Sequence, residues 1–266
     1  MQNNTTKKKT KVEPKPYLKG NAFSGVVVKK ALRIFLYQLV AAFIFLIFSS
    51  MLMFDTFIIT AILNVVILLA AGAIFFASGA ASGEADVTLG ETLYKHQAQG
   101  RSISDNDRNR SFHVLKGFIA AILGVIPFLV LTSVLAANTK VTLYESTSLP
   151  SWLSGFTRIQ EIGGALAYSN APVSVTGMDI LRIAVRAMLM PYVAIVTNFG
   201  DQAAVTLEKL SPLLILINPL LYAIGYTTGP ARRSLVHENI AAGKRRNKAR
   251  ARRDKMRRDK GPEQLV

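Results

Sequence analysis

The chain has no cysteine among its 266 residues, which excludes disulfides, thiolate metal sites and cysteine nucleophiles. The common catalytic signatures are missing too: there is no HExxH, no phosphate-binding P-loop, no GxGxxG and no GxSxG. The three histidines, His96, His113 and His237, stand at no metal-ligand spacing. Acids are scarce, 16 against 32 lysines and arginines, for a net charge of +16. With no set of nucleophile, base and orienting group in view, the chain reads as a non-enzyme that needs neither metal nor cofactor.

What the chain does have is apolar length. Half of its residues are hydrophobic, and a soluble domain rarely combines that with so large a net charge. Here the two properties separate along the chain, into long uncharged runs and strongly charged ends. The pattern predicts an all-α integral membrane protein, a polytopic helical bundle between two basic tails. The first tail, 1–30, carries Lys7, Lys8, Lys9, Lys11, Lys15, Lys19, Lys29 and Lys30 against Glu13 alone. The apolar stretch that follows far exceeds the core of a cleavable signal, so it is expected to be retained as an anchor.

Within the membrane region, 31–230, Asp55 is the only ionisable acid or base between Ile34 and Ser82. Nearly fifty helical residues would cross a bilayer core about twice, giving spans at 34–54 and 57–81. A polar connection over Gly83–Lys116 follows, with a short helix near Leu89–Ala98. Glu84, Asp86 and Glu91 read there as an exposed acidic loop rather than a cation site. A third span occupies 117–137, with Pro127 as an expected kink. The last occupies 212–228 and contains Pro219. Four spans put both basic ends on the cytoplasmic side and leave 138–211 outside, where Tyr144, Trp152, Tyr168 and Tyr192 suit an outer interface. Within that region Ile180–Phe199 is expected to form a re-entrant or interfacial helix. The alternative is a true span paired with a weak sixth from Trp152–Val175. Compact size, short loops and two basic ends favour a bacterial plasma membrane.

Four polar residues in or near the spans could outline a groove. Arg182 and Arg186 share a helix face with Asp179 one turn before. They either line a polar cavity or snorkel to outer headgroups. Asn64 and Asn218 fall within spans, as interhelical hydrogen bonders or as the wall of a solute path. Small residues at four-residue spacing, Gly79 with Gly83, Gly117 with Ala121 and Ala120 with Gly124, predict close helix packing.

The tail 231–266 holds 13 cations, with Lys244, Arg245, Arg246, Lys248, Arg250, Arg252, Arg253, Lys255, Arg257 and Arg258 forming its dense part. Pairs such as Arg250 with Asp254 are four apart, and the composition predicts a helix over about 231–259. It lacks an apolar stripe, so it should act through charge. Anionic lipid, ribosomal RNA and the acidic face of another membrane protein would each supply the opposite sign. This segment resembles the basic C-terminal extensions of YidC-type membrane insertases, and the resemblance implies contact with ribosomes. It is confined to about 30 residues, and the span layout differs, because the core of that family begins outside the membrane. The sequence therefore points to a non-enzymatic scaffold or accessory factor. The alternative is a subunit of a transporter or channel, with Arg182, Arg186, Asn64 and Asn218 around a polar path.

Overall fold

The computed structural model describes residues 15–52, 54, 56–139, 177–196 and 199–258. Among these all the regular secondary structure is helical: α1 Gly25–Met51, α2 Phe57–Ala98, α3 Asp105–Arg110, α4 Val114–Asn138, α5 Gly177–Met188, α6 Met190–Val196, α7 Asp201–Thr227 and α8 Gly229–Arg258. Four of them, α1, α2, α4 and α7 from Gln202, are long and apolar enough to cross a membrane. The protein is an all-α polytopic membrane protein. Its spans follow from composition, and their packing follows from periodicity. In α1 the buried positions are Val27, Lys30, Ala31, Ile34, Gln38, Ala41, Phe45 and Ser49. Steps of three and four place them on one face, while Leu36, Phe43 and Ile47 on the others are exposed as lipid-facing residues should be.

Three expectations need correction. The connection after the second span is not a loop, because α2 runs unbroken for 42 residues, about 63 Å. Gly83, Val87, Gly90 and Glu91 continue its buried face past the apolar run, and that packing holds the polar extension helical. The helix stops at Gly100, whose φ of 74° admits the left-handed turn. Arg101 N–H then closes on His96 O and Gly100 N–H on Gln97 O, the paired bonds of a Schellman ending. The segment 180–199 is not one helix either. It breaks at Leu189 between α5 and α6, where Pro191 supplies no N–H. The two pieces, about 18 and 10 Å long, are each too short to span. The last span starts earlier than expected, because α7 reaches back through Glu208 to Asp201. Helix α4 continues through Pro127. The segment Trp152–Val175, with Tyr144 and Tyr168, lies outside the described residues, as do Asp55 and residues 1–14.

The chain divides into two compact units. The first gathers residues up to Ile34, Gly72–Gly124 and everything from Asn218. Its centre is a contact between the α2 and α7 backbones. A methyl group on Gly79 would collide with Tyr222 O, one on Gly83 with Tyr226 O, and one on Gly225 with Phe76 O. Across the break at Thr228, Gly229 packs directly on the Gly83 backbone. Gly117 of α4 faces the Tyr226 ring, Gly124 faces Ala31 O, and Ala120 and Ala121 are buried. The small-residue pairs thus pack as expected. Tyr226 stacks on Phe112 with centroids 5.2 Å apart. The second unit covers Phe35–Ala71 and Val125–Ile217. Its core joins Val125, Phe128 and Leu135 of α4 to Val185, Leu189 and Ile215.

Replacing Gly83 by valine should cost about 1–3 kcal/mol, because backbone contact leaves no room for a side chain to relax. Gly243, with nothing within 4 Å of a Cβ, should instead gain up to about 1 kcal/mol on substitution by alanine. Thermal unfolding in detergent should therefore shift down for Gly83→Val and up for Gly243→Ala.

Candidate functional site

The first unit carries two buried charge clusters. In one, Lys30 of α1 donates to Asp86 and, at 3.1 Å, to Ser82, both on α2. The Tyr226 hydroxyl donates to the same Asp86 oxygen, and the Lys30 ammonium also lies 4.7 Å from the Tyr226 ring centroid. A carboxylate, a cation and a hydroxyl thus tie α1, α2 and α7 together where the apolar run of α2 ends. Lys116, fully buried, donates to the carbonyls of Asn109 and Ser111 at the end of α3. A cation on those orphan carbonyls is a C-terminal cap. The other cluster centres on Glu91. Arg233 reaches one of its oxygens with two donors at 3.1 Å, and His237 Nε2 lies 2.7 Å from the other. Glu91 and His237 are both nearly buried, with side chains 6% and 8% exposed. Burial pushes the Glu91 carboxyl upward, but the hydrogen bonds and charges of His237 and Arg233 outweigh it and hold the group below the usual carboxylate range.

The expected acidic loop is therefore a pair of docking points. Asp86 and Glu91 sit on a helix face, and each holds a basic residue from a distant part of the chain. Periodicity contained the signal: Gly79, Gly83, Val87 and Glu91 follow steps of four once α2 is extended, with Asp86 and Gly90 on the same face. With the helix ended near Ala81, these residues do not read as a buried stripe.

In the second unit the two arginines meet a carboxylate that the sequence reading left outside the last span. Glu208 of α7 has a side chain only 3% exposed. It accepts from Arg186 Nε at 2.8 Å and Arg182 Nε at 3.3 Å, and the Thr139 hydroxyl donates at 3.1 Å. Arg182 also lies 3.6 Å from Asp179. The pair thus docks α5 on α7 and does not stand as two uncompensated cations in a groove. Asn64 is satisfied within its own unit, bonding Ser49 of α1 and Thr60 O. That is an interhelical tie of the kind expected of a lone amide in lipid. Asn218 is buried in α7 and belongs to the first unit. The four proposed groove residues thus divide between two units, and three of them have defined partners.

Helix α8 spans 30 residues, matching the expected extent. Its first turns are docked through Arg233 and His237. From Lys244 to Met256 every residue is exposed, including Lys244, Arg245, Arg246, Lys248, Arg250, Arg252, Arg253 and Lys255. Arg257 and Arg258 close the helix. No group of His, Asp or Glu able to hold a metal ion occurs among the described residues.

Glu208→Ala strands two guanidinium groups. It should cost about 2–4 kcal/mol, toward the lower end because the Arg186 side chain is 43% exposed. A double-mutant cycle with Arg182→Ala and Arg186→Ala should recover most of that loss. For Glu91 the folded pKa lies below the unfolded one, so its contribution is present above the ordinary carboxylate range and lost as pH falls through the folded value. Amide exchange at residues 231–238, corrected for its intrinsic pH dependence, should be slow above the ordinary carboxylate range and quicken as pH falls from there through the folded value. Glu91→Gln should quicken it at neutral pH.

Compared with known proteins, the chain matches no family model, no curated protein and no solved structure.

Proposed function

We propose that the protein is a non-enzymatic membrane accessory factor, a scaffold or assembly partner that presents α8 to a polyanionic surface on the cytoplasmic side. The observation that carries this reading is the distribution of charge. Among the described residues, the first unit holds 22 lysines and arginines against 7 acids, while the second holds 3 against 3. The end of α2 and the starts of α1 and α4 fall in that basic unit, as do the end of α7 and all of α8. A bilayer sorts charge in this way when the basic end stays in the cytoplasm, and a bacterial plasma membrane with both termini inside fits the pattern.

The paired clusters support a scaffold over a solute path. Glu208, Asp86 and Glu91 are each engaged by cations from another helix, so their charge is spent on holding helices together. Asn64 is engaged by Ser49. A polar path would need such groups turned toward a cavity. The densest run of exposed cations among the described residues is that of α8, from Lys244 to Lys255, and anionic lipid and ribosomal RNA both carry the complementary charge.

The test is crosslinking and pull-down from native membranes. The intact chain is compared with one in which Lys244, Arg245, Arg246, Lys248, Arg250, Arg252, Arg253 and Lys255 are glutamine. Glutamine keeps the helix and removes the charge. The variant should lose a defined set of polyanionic partners while retaining its membrane insertion and thermal stability. Identical partners from both chains would refute the reading.

A further inference from the structure

The reading above leaves two polyanions, lipid and RNA, and the direction in which α8 leaves the membrane distinguishes them. The contacts between α2 and the α7–α8 pair keep an almost constant sequence offset. Phe76 meets Gly225, Gly79 meets Tyr222, and Gly83 meets Tyr226 and Gly229. Farther on, Glu91 meets Arg233, 142 residues away, and His237, 146 away. An offset held over fifteen residues of α2 means that the helices run side by side in the same direction. It also means that α8 continues the course of α7 across Thr228 without folding back. The apolar run of α2 ends near Ser82, and the same offset puts residue 228 at that level, where the apolar run of α7 ends too. Two independent sequence boundaries thus coincide in the structure and mark the edge of the hydrocarbon.

Helix geometry then fixes where the tail lies. At about 1.5 Å per residue, Lys244 sits roughly 24 Å beyond that edge and Arg258 roughly 45 Å. The headgroup layer is only about 5–8 Å deep on each side, and charge is screened over about 8 Å at physiological salt. The dense cations therefore begin well outside the reach of anionic headgroups. Glu91 is what keeps them there, by holding Arg233 and His237 against α2 as it leaves the membrane.

The arrangement of charge around the helix narrows the partner further. At about 100° per residue, the eight cations from Lys244 to Lys255 spread over roughly two-thirds of the circumference. A flat or rod-like surface would engage one side of such a helix and leave the others idle. A folded RNA offers crevices walled by phosphates on several sides. Five of the eight are arginines, whose planar fork pairs with phosphate through two hydrogen bonds. An acidic protein groove would also call for an apolar stripe, and beyond Lys244 the polar surface is interrupted only by the small Ala249 and Ala251 and by Met256.

We infer that α8 is a stalk that carries a phosphate-binding tip away from the bilayer to a structured RNA. This inference rests on the polyanion reading above and names its partner.

The test uses the full chain in nanodiscs of zwitterionic lipid, with a fluorescent RNA hairpin followed by anisotropy. Binding should weaken by at least about a hundredfold between 50 and 200 mM salt, since several phosphates are neutralised at once. The eight-glutamine chain should lose it. Adding anionic lipid to the nanodiscs should change the RNA affinity by less than about threefold, because the tip lies beyond the screening distance. RNA binding abolished by anionic lipid would put the tail on the membrane and overturn the stalk. A DNA hairpin of the same sequence bound equally well would overturn the assignment to RNA while leaving the polyanion reading intact. Failure of RNA, DNA and anionic lipid alike to engage the tail would sink both.

Discussion

The structure depends on one constraint: α2 and α7 touch backbone to backbone. Gly79, Gly83 and Gly225 allow it and Gly229 extends it into α8, because a single methyl at any of them would meet a main-chain atom of the facing helix. In a bilayer, helix association gains nothing from burying apolar surface, and close packing of small residues supplies dispersion and permits polar contacts instead. The consequences run outward from that seam. It fixes the parallel register of the two helices. The register brings Tyr226 to Asp86, and Asp86 holds Lys30 of α1. One turn and a half along α2, it brings Glu91 opposite Arg233 and His237, which sets the course of α8.

Each buried carboxylate in the described residues joins helices that are remote in sequence. Asp86 links α1 and α7 to α2, Glu91 links α8 to α2, and Glu208 links α5 to α7. Buried ion pairs add little net stability, but breaking one side is costly, so they act as registry devices that penalise wrong docking. Under the function proposed above, that role would hold one element, α8, in one direction. The same seam that packs the bundle in the membrane thereby governs where charge is presented outside it.

Much of this was legible in the sequence. The apolar runs gave the four spans, the small residues at four-residue spacing gave the close contacts, and the helix formers of the tail gave α8. Two things were not. The extension of α2 was hidden because Asp86 and Glu91, with Glu84 beside them, look like a solvated loop until the partners of the first two are known, and those partners lie more than fifty residues away. The pairing of Arg182 and Arg186 with Glu208 was hidden for the same reason. A carboxylate 22 residues beyond Arg186, past two helix breaks, leaves no periodic trace. Local pattern reports which face is apolar, whereas the choice of ion-pair partner is made by tertiary register.

The most direct test is a pair of distances by spin labelling, in a chain that has no native cysteine to remove. One label goes on Lys95→Cys near the end of α2, and the second on either Ile240→Cys or Met256→Cys of α8; all three positions are exposed. Parallel docking predicts a short distance from Lys95 to Ile240, near the roughly 8–10 Å separation of packed helices, and a distance to Met256 of roughly 26 Å, the ~24 Å rise of sixteen residues combined at right angles with that separation. Two similar distances, or a longer one to Ile240, would mean that α8 turns back toward the membrane and that the seam does not set its course.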